Sequence, residues 1–252
     1  MRVLDLFSGI GGFSLGLERA GMRSVAFCEI DPYCRAVLRK HWPDVPIYED
    51  VRTLRAYDLF IDQCWPIDVI CGGFPCQPFS SASRGRGSGT KDDRFLWPEM
   101  FRLIRDLGPT WVIGENVTHI DRLALEQVVS DLEGIGYEVA PPLEIPACAV
   151  GCDHRRARYW FLGYSDCGIK SELSVDAKMA RMQGRKPLTR NSRATDGIPG
   201  GLDANRRKAI GNAIVPEIAE IIGKKIMDIE RMDRARQARC RRESIEYTAR
   251  GE

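Results

Sequence analysis

A single thiol lies in a stiff loop that directly follows an apolar strand. The segment Gly72-Gly73-Phe74-Pro75-Cys76-Gln77-Pro78-Phe79-Ser80 comes after the run 67–71, which is typical of a buried strand. Glycines and two prolines predict a sharp, rigid turn that presents Cys76 at the strand's carboxyl end. A thiol held there is a candidate nucleophile, although most cysteines are small buried hydrophobes. The loop alone leaves both interpretations open.

Carboxylates follow three other predicted strands. Glu29, Asp50 and Glu115 each come directly after a short apolar run. In an open α/β sheet, ligands bind at the carboxyl ends of the strands, so we expect these carboxylates and Cys76 to share one site. An acid that closes the second strand is placed to accept hydrogen bonds from ribose hydroxyls. Asp50 is a candidate partner for a purine ring.

Two arginines precede the last predicted strand, 159–162. Arg156 and Arg158 alternate, so they share one face of an extended segment. Cys148, Cys152 and His154 lie nearby, but no fourth ligand follows at a spacing that suits zinc. We therefore expect no metal.

The chain opens like a nucleotide-binding βαβ unit. The apolar run 3–7 is followed by Ser8-Gly9-Ile10-Gly11-Gly12 and a helical pattern that Gly21 ends. The glycines allow a close approach of the backbone to a ligand at the helix N-terminus. The dinucleotide fingerprint fails because Ser14 occupies the place of its third glycine, which disfavours a pyrophosphate ligand.

The remaining elements continue the alternation of strands and helices. Asp31 and Pro32 predict the N-cap and first position of a helix that ends near His41. Further elements are predicted as helices at about 95–107, 121–134 and 216–232, and as strands at 24–28, 47–48, 110–114 and 136–143. The Arg-rich tail from Arg231 onward is expected to be frayed or disordered.

Composition places the chain among globular proteins. Its 252 residues can bury one sizeable core, and no apolar run approaches a membrane span. The start lacks a signal-peptide pattern, and nine scattered cysteines do not suggest a disulfide framework; both favour the cytoplasm. Net charge is +2, but residues 170–208 hold ten basic against four acidic residues, and loop 80–94 is also basic. Such segments favour a polyanion partner or are solvated loops.

Together these residues resemble the DNA (cytosine-5)-methyltransferase family. The matching segments occur in family order and cover 1–165 and 206–230. They are Asp5-Leu6-Phe7-Ser8-Gly9-Ile10-Gly11-Gly12, Glu29-Ile30-Asp31, Asp50-Val51, Gly73 to Ser80, Glu115-Asn116-Val117, Arg156-Ala157-Arg158 and Gly211-Asn212-Ala213. The resemblance implies an α/β fold, the Rossmann-like mixed sheet of S-adenosylmethionine-dependent methyltransferases with helices on both faces, plus a minimal second subdomain.

The resemblance also implies S-adenosyl-L-methionine as cofactor and a set of residues that bind it. Phe7 would pack on the adenine, Gly9 and Gly11 would line the methionine end, Glu29 would bind the ribose and Asp50 the adenine amine. The full implied set is Phe7, Gly9, Gly11, Gly12, Glu29, Ile30, Asp50, Val51, Pro75, Leu96, Asn212 and Ala213.

For catalysis, the resemblance implies a covalent route to cytosine in duplex DNA. The Cys76 thiolate would add to C6, so that C5 becomes nucleophilic enough to take the methyl group. Glu115 would hold the ring N3 and the exocyclic amine, and Arg158 would contact the base and help to orient it. Arg156 completes the implied catalytic set. The base would be flipped out of the stack, and loop 80–94 would close behind it.

Two features depart from the family pattern. His154 replaces the usual glutamine before the arginine pair. Only about forty residues, 166–205, stand where a long target-recognition domain is usual, before a return segment at 206–230 and a basic tail at 231–252. Recognition is then minimal or relaxed, or a separate specificity partner supplies it.

These features leave three hypotheses for function. The first is a bacterial or phage restriction-modification DNA methyltransferase of the cytoplasm. The alternatives are a tRNA cytosine-5 methyltransferase, which the short recognition region motivates, and a catalytically silent cofactor- or DNA-binding remnant.

Overall fold

One mixed sheet forms the middle layer of the protein. We describe a computed structural model in which residues 1–76, 95–120, 122–165 and 203–249 are defined, with side chains defined as far as residue 240. Within these residues seven strands pair in the order β3-β2-β1-β4-β5-β7-β6, and β7 is antiparallel to both neighbours. The strands are β1 Arg2–Leu6, β2 Arg23–Cys28, β3 Ile47–Tyr48, β4 Val69–Gly72, β5 Trp111–Val117, β6 Glu138–Pro146 and β7 Ala157–Tyr164. The expected mixed α/β sheet is confirmed.

Helices cover both faces of this sheet because successive strand residues point to opposite sides. Val69 and Cys71 pack towards α1 and α7, whereas Ile70 between them packs towards α4 and α5. The helices are α1 Gly12–Arg19, α2 Pro32–His41, α3 Ala56–Ile61, α4 Trp97–Leu107, α5 Arg122–Gly134, α6 Ala204–Asn212 and α7 Pro216–Ala249, with a 3-10 helix at Ala147–Val150. Two apolar layers therefore hold the sheet between them.

The topology brings the predicted strand ends to one edge. β1 pairs in parallel with β2 on one side and with β4 on the other, and β4 pairs in parallel with β5. The carboxyl ends of these four strands therefore open onto a common crevice, which is where doubly wound sheets bind ligands.

Ser14, which breaks the dinucleotide fingerprint, anchors α1 to β1. Its hydroxyl and its amide both donate to Asp5 Oδ2, at 2.8 and 3.3 Å. Asp5 is fully buried, and burial raises its pKa to about 7. A serine here thus provides two donors to one oxygen of a carboxyl group buried beneath the glycine loop.

Three helical segments differ from expectation. α3 and α6 were not predicted, because each has one buried residue, Leu59 and Ala209, and so no apolar periodicity. The prediction of a frayed tail was wrong, because α7 continues to Ala249. No proline interrupts this stretch, and its arginine, alanine, methionine and glutamine residues favour helix.

The segment predicted to contain the recognition region falls largely outside the described residues, and loop 80–94 lies outside them completely. No helix in the described part of the chain is both long and apolar enough to span a bilayer.

Gly16 allows α1 and α7 to touch. A methyl group there would lie 2.2 Å from Pro216 O and 2.7 Å from Ala219 Cβ. Gly16→Ala should lower the free energy of unfolding by about 1–3 kcal/mol through overpacking, measured by urea denaturation. Gly134→Ala is the matched control, since that helical position has no atom within 4 Å of the added carbon. Equal stability of the two variants would contradict this close packing.

Candidate functional site

The strand ends surround one cavity of about 480 Å³. Thirteen of the sixteen residues predicted for the site line it. They are Phe7, Gly9, Glu29, Ile30, Asp50, Val51, Pro75, Cys76, Leu96, Glu115, Arg156, Arg158 and Asn212. The cavity runs from the ends of β1 and β2 to the ends of β4 and β5, so the thiol and the expected cofactor residues face the same space.

Gly11, Gly12 and Ala213 do not line the cavity; they support the residues that do. A methyl group on Gly11 would meet Trp42, and one on Gly12 would lie 2.6 Å from Ile214 O. Gly11 also has a positive φ of 85° at the N-cap of α1, a conformation that glycine adopts without strain. These glycines therefore allow α1 to begin close to the chain segments around it.

Cys76 lies at the inner wall of the cavity, 8% exposed. Its thiol donates to Asn116 Oδ1 at 2.6 Å, while Asn116 Nδ2 donates to Phe74 O at 3.0 Å. Asn116 therefore holds the cysteine loop to the end of β5. Burial, followed by the negative charge of Glu115, raises the pKa of Cys76 to about 11. The thiol is thus protonated at neutral pH in the free protein.

Glu115 lines the same cavity from the end of β5. Its carboxylate pairs with Arg158, with Nε 3.1 Å from Oε1. Burial raises the pKa of Glu115 to about 7, although Arg158 and then Arg156 act to lower it. A carboxyl group with this pKa can hold a proton near neutral pH and donate it to an acceptor in the cavity.

Arg156 makes a different set of contacts from Arg158. It is 8% exposed, and its guanidinium donates to Gly211 O and to Ala213 O, the latter at 2.8 Å. The two arginines therefore have different partners. Arg158 pairs with the carboxylate of Glu115 on β5, whereas Arg156 binds the carboxyl end of α6 and the residue that follows it.

Glu29 organises the other end of the cavity. One carboxylate oxygen accepts from the amide of Gly9 at 2.6 Å and the other from the amide of Asp31 at 2.7 Å. The loops after β1 and β2 are thereby joined through one buried side chain. Each oxygen retains a lone pair for a further donor, as an approaching ribose hydroxyl would be.

Asp50 has a partner that the sequence did not identify. Arg52 donates to its two carboxylate oxygens through Nε and Nη2, at distances between 2.7 and 3.1 Å. The guanidinium lowers the pKa of Asp50. Arg52 also lines the cavity, so the acceptor expected for the adenine amine is ionised and held in place.

Arg52, Asn116 and Lys208 all contribute to the site but were not among the predicted residues. Asn116 lies inside the Glu-Asn-Val motif, so this motif could have identified it as a site residue from the sequence. Arg52 is two residues from Asp50, which is a local but unspecific signal. Lys208 is 177 residues from its partner Asp31, and no sequence pattern connects the two.

Known proteins share this arrangement of motifs. Residues 1–196 match the model of the C-5 cytosine-specific DNA methylases. The chain belongs to this family. It is 36% identical over 167 residues to the type II methyltransferase M2.BsuMI of Bacillus subtilis, and this match covers 63% of the chain and 40% of that protein. The chain spans less than half the length of the curated relatives it matches.

Two solved structures are similar in fold to this chain. The Entamoeba histolytica methyltransferase EhMeth has a TM-score of 0.64 at 14% identity, over 91% of this chain and 98% of its own. The Dnmt2 methyltransferase of S. pombe has a TM-score of 0.57 at 23% identity, over 75% of this chain and 57% of its own. Both likenesses concern the fold, and they confirm the predicted methyltransferase sheet.

The raised pKa of Glu115 predicts a change in the stability of this protein with pH. Between its ordinary pKa of 4.5 and about 7, the unfolded chain releases this proton while the native protein keeps it. Stability therefore falls as pH rises through this window. We expect wild type to lose about 3 kcal/mol of unfolding free energy relative to Glu115→Gln from pH 4.5 to 7. Urea denaturation at several pH values measures this, and parallel pH profiles would contradict it.

Proposed function

We propose that this protein transfers a methyl group from S-adenosyl-L-methionine to C5 of cytosine in DNA, through a covalent adduct with Cys76. One observation carries the proposal. A buried thiol and a buried carboxylate paired with arginine lie in the same cavity as an acidic, glycine-lined cradle at the ends of β1 and β2. Family membership gives the substrate class.

The cradle fits the cofactor. Ile30 is 63% exposed at the cavity wall, so an apolar face is available for a ring such as adenine. Gly9 has a φ of 55° and open space where a side chain would stand, so its backbone can lie against the ligand. Glu29 would accept from the ribose, Asp50 from the adenine amine, and Phe7 would pack against the base. When bound, the cofactor supplies the methyl group.

The end of the cavity that holds Cys76 and Glu115 supports attack on a pyrimidine. A proton donated by Glu115 to the ring N3 would offset the charge that develops when the Cys76 sulfur bonds to C6. While Glu115 still holds its proton, the negative charge that helps to raise the pKa of Cys76 is absent, so the protonated carboxyl group favours loss of the thiol proton to water; Glu115 then becomes the carboxylate as its own proton passes to N3. Arg158 keeps the carboxyl group oriented. After C5 has taken the methyl group, loss of the C5 proton and elimination of the thiolate release the product.

The target cytosine must leave the helix stack. Cys76 is buried at the inner wall of a cavity, and C6 of a stacked base is covered by its neighbours. Extrusion of the nucleotide into the cavity brings the reacting atoms together. We assign target recognition to residues 166–205, the cofactor and catalytic machinery to 1–165, and the return segment to 206–230. A separate specificity partner is the alternative source of sequence recognition.

We place DNA ahead of tRNA as substrate. Support comes from the family model and from the type II methyltransferases of bacteria among the relatives. The structural likeness to Dnmt2 is one of fold, so it does not favour RNA. Activity would place the protein in the modification half of a restriction-modification pair or in a stand-alone methylation role.

Transfer of tritium-labelled methyl groups tests the proposal. Wild type should label duplex DNA at cytosine C5, and Cys76→Ala should reduce labelling by at least 10³-fold because the covalent route is lost. Glu115→Gln should reduce it by about 10²-fold through loss of the N3 donor. Label at adenine N6, label in tRNA alone, or full activity of Cys76→Ala would overturn the assignment.

Covalent trapping provides the matched control. Duplexes that contain 5-fluorocytosine should form a denaturation-resistant complex with wild type in the presence of cofactor and none with Cys76→Ala. Failure across a mixed pool of target sequences would favour a silent cofactor-binding remnant.

A further inference from the structure

One wall of the cavity comes from a segment far along the chain. Lys208, Ala209 and Asn212 of α6 line it on one side, facing Ile30 and Asp31 before α2. The expected adenosine end of the cavity therefore lies between the start of α2 and α6. Its shape depends on how firmly α6 is held there.

Apolar packing does little to hold α6. Ala209 is its one buried residue among the nine of Ala204–Asn212, and alanine buries little surface. Polar contacts must therefore fix the position of the helix. Arg156 fastens its carboxyl end through the carbonyls of Gly211 and Ala213.

An ion pair fastens α6 to the start of α2. Lys208 Nζ lies 2.8 Å from Asp31 Oδ2. The pairing lowers the pKa of Asp31 and raises that of Lys208. Asp31 Oδ1 separately accepts from the amide of Tyr33 at 2.9 Å as the N-cap of α2. One carboxylate therefore caps a helix with one oxygen and holds α6 with the other.

We propose that Lys208 and Asp31 form a clasp that positions α6 over the cavity and strengthens binding of the adenosine part of the cofactor. The inference rests on the proposed function, since it takes the cofactor to be S-adenosyl-L-methionine. Lys208 is a positioning residue that acts through Asp31 and α6. It adds no group to the methyl transfer itself.

The exposure of the clasp sets the expected size of the effect. The side chains of Lys208 and Asp31 are 66% and 26% exposed, and exposed ion pairs contribute modestly. Lys208→Gln should therefore raise the dissociation constant for S-adenosylhomocysteine by about two- to fivefold. The Michaelis constant for the cofactor should rise by the same factor, with kcat at saturating cofactor unchanged.

Asp31→Asn tests the ion pair with Lys208 separately from the N-cap of α2. Asparagine is as good an N-cap as aspartate, so this variant keeps the start of α2 while it removes the charge that holds Lys208. Its dissociation constant for S-adenosylhomocysteine should match that of Lys208→Gln. The double variant should lose no more affinity than either single variant. Lys208→Arg, which can still pair with Asp31, should restore wild-type affinity.

The chain offers a matched control. Lys224 pairs with Glu220 on α7 with similar exposures of 59% and 23%, and neither residue lines the cavity. Lys224→Gln should leave cofactor affinity unchanged. Salt gives a further criterion: from 0.05 to 0.5 M NaCl the wild-type affinity should fall towards that of Lys208→Gln, because salt screens exposed pairs.

Calorimetry with S-adenosylhomocysteine and the purified full chain distinguishes the outcomes. If wild type binds the ligand and Lys208→Gln and Asp31→Asn bind it equally well, the clasp is refuted while the proposed function stands. If Lys208→Arg fails to restore affinity, the effect does not come from the charge pair and the clasp is likewise refuted. If wild type binds no ligand, the proposed function itself has failed.

Discussion

The pairing of Glu115 with Arg158 inside a buried cavity depends on one antiparallel strand. Because β7 runs against β5, its amino end lies at the edge where the parallel strands have their carboxyl ends. Arg158 therefore pairs across from Val117 and reaches Glu115 diagonally. A parallel strand in that place would carry the arginine to the far edge. The charge balance that lets a carboxyl group be buried next to Cys76 thus follows from strand direction.

Sequence reasoning found the site where the chemistry is local to a strand end. Cys76, Glu29, Asp50 and Glu115 all follow apolar runs, and the parallel topology brings such ends together. It missed contacts that the fold creates between distant segments, such as Lys208 with Asp31. The residues alone could not divide the roles of Arg156 and Arg158, because the two share a face of the chain; the resemblance assigned contact with the base to Arg158, and neither source predicted that Arg156 binds the carbonyl groups of Gly211 and Ala213.

The helices and strands were likewise predicted only where a local sequence pattern indicates them. Strands with continuous apolar runs and helices with a clear apolar stripe were predicted within a few residues. α3 and α6 bury a single residue each, so their sequences contain no periodicity to detect. The extension of α7 was missed for a related reason. Among the residues whose side chains are described, as far as 240, the buried apolar stripe ends at Ile229, and intrinsic propensity and ion pairs such as Arg231 with Asp228 favour the helix beyond it.

Residues near the end of the chain complete the cavity, as the surroundings of Gly12 and Gly73 show. Ile214 lies against Gly12 and also 3.5 Å from where a methyl group on Gly73 would be. The return segment thus contacts the loops of both the cofactor end and the cysteine end. Such long-range closure is costly in chain entropy before its contacts repay it.

Helix α7 leads away from this crevice. Its first turn lies at Gly16, while Glu230 accepts from the Trp111 indole at the opposite edge of the sheet. Beyond Glu230 the axis continues for about 28 Å at 1.5 Å per residue. A fluorophore or affinity handle attached to this extension would be connected to the protein at the edge of the sheet opposite to the cavity.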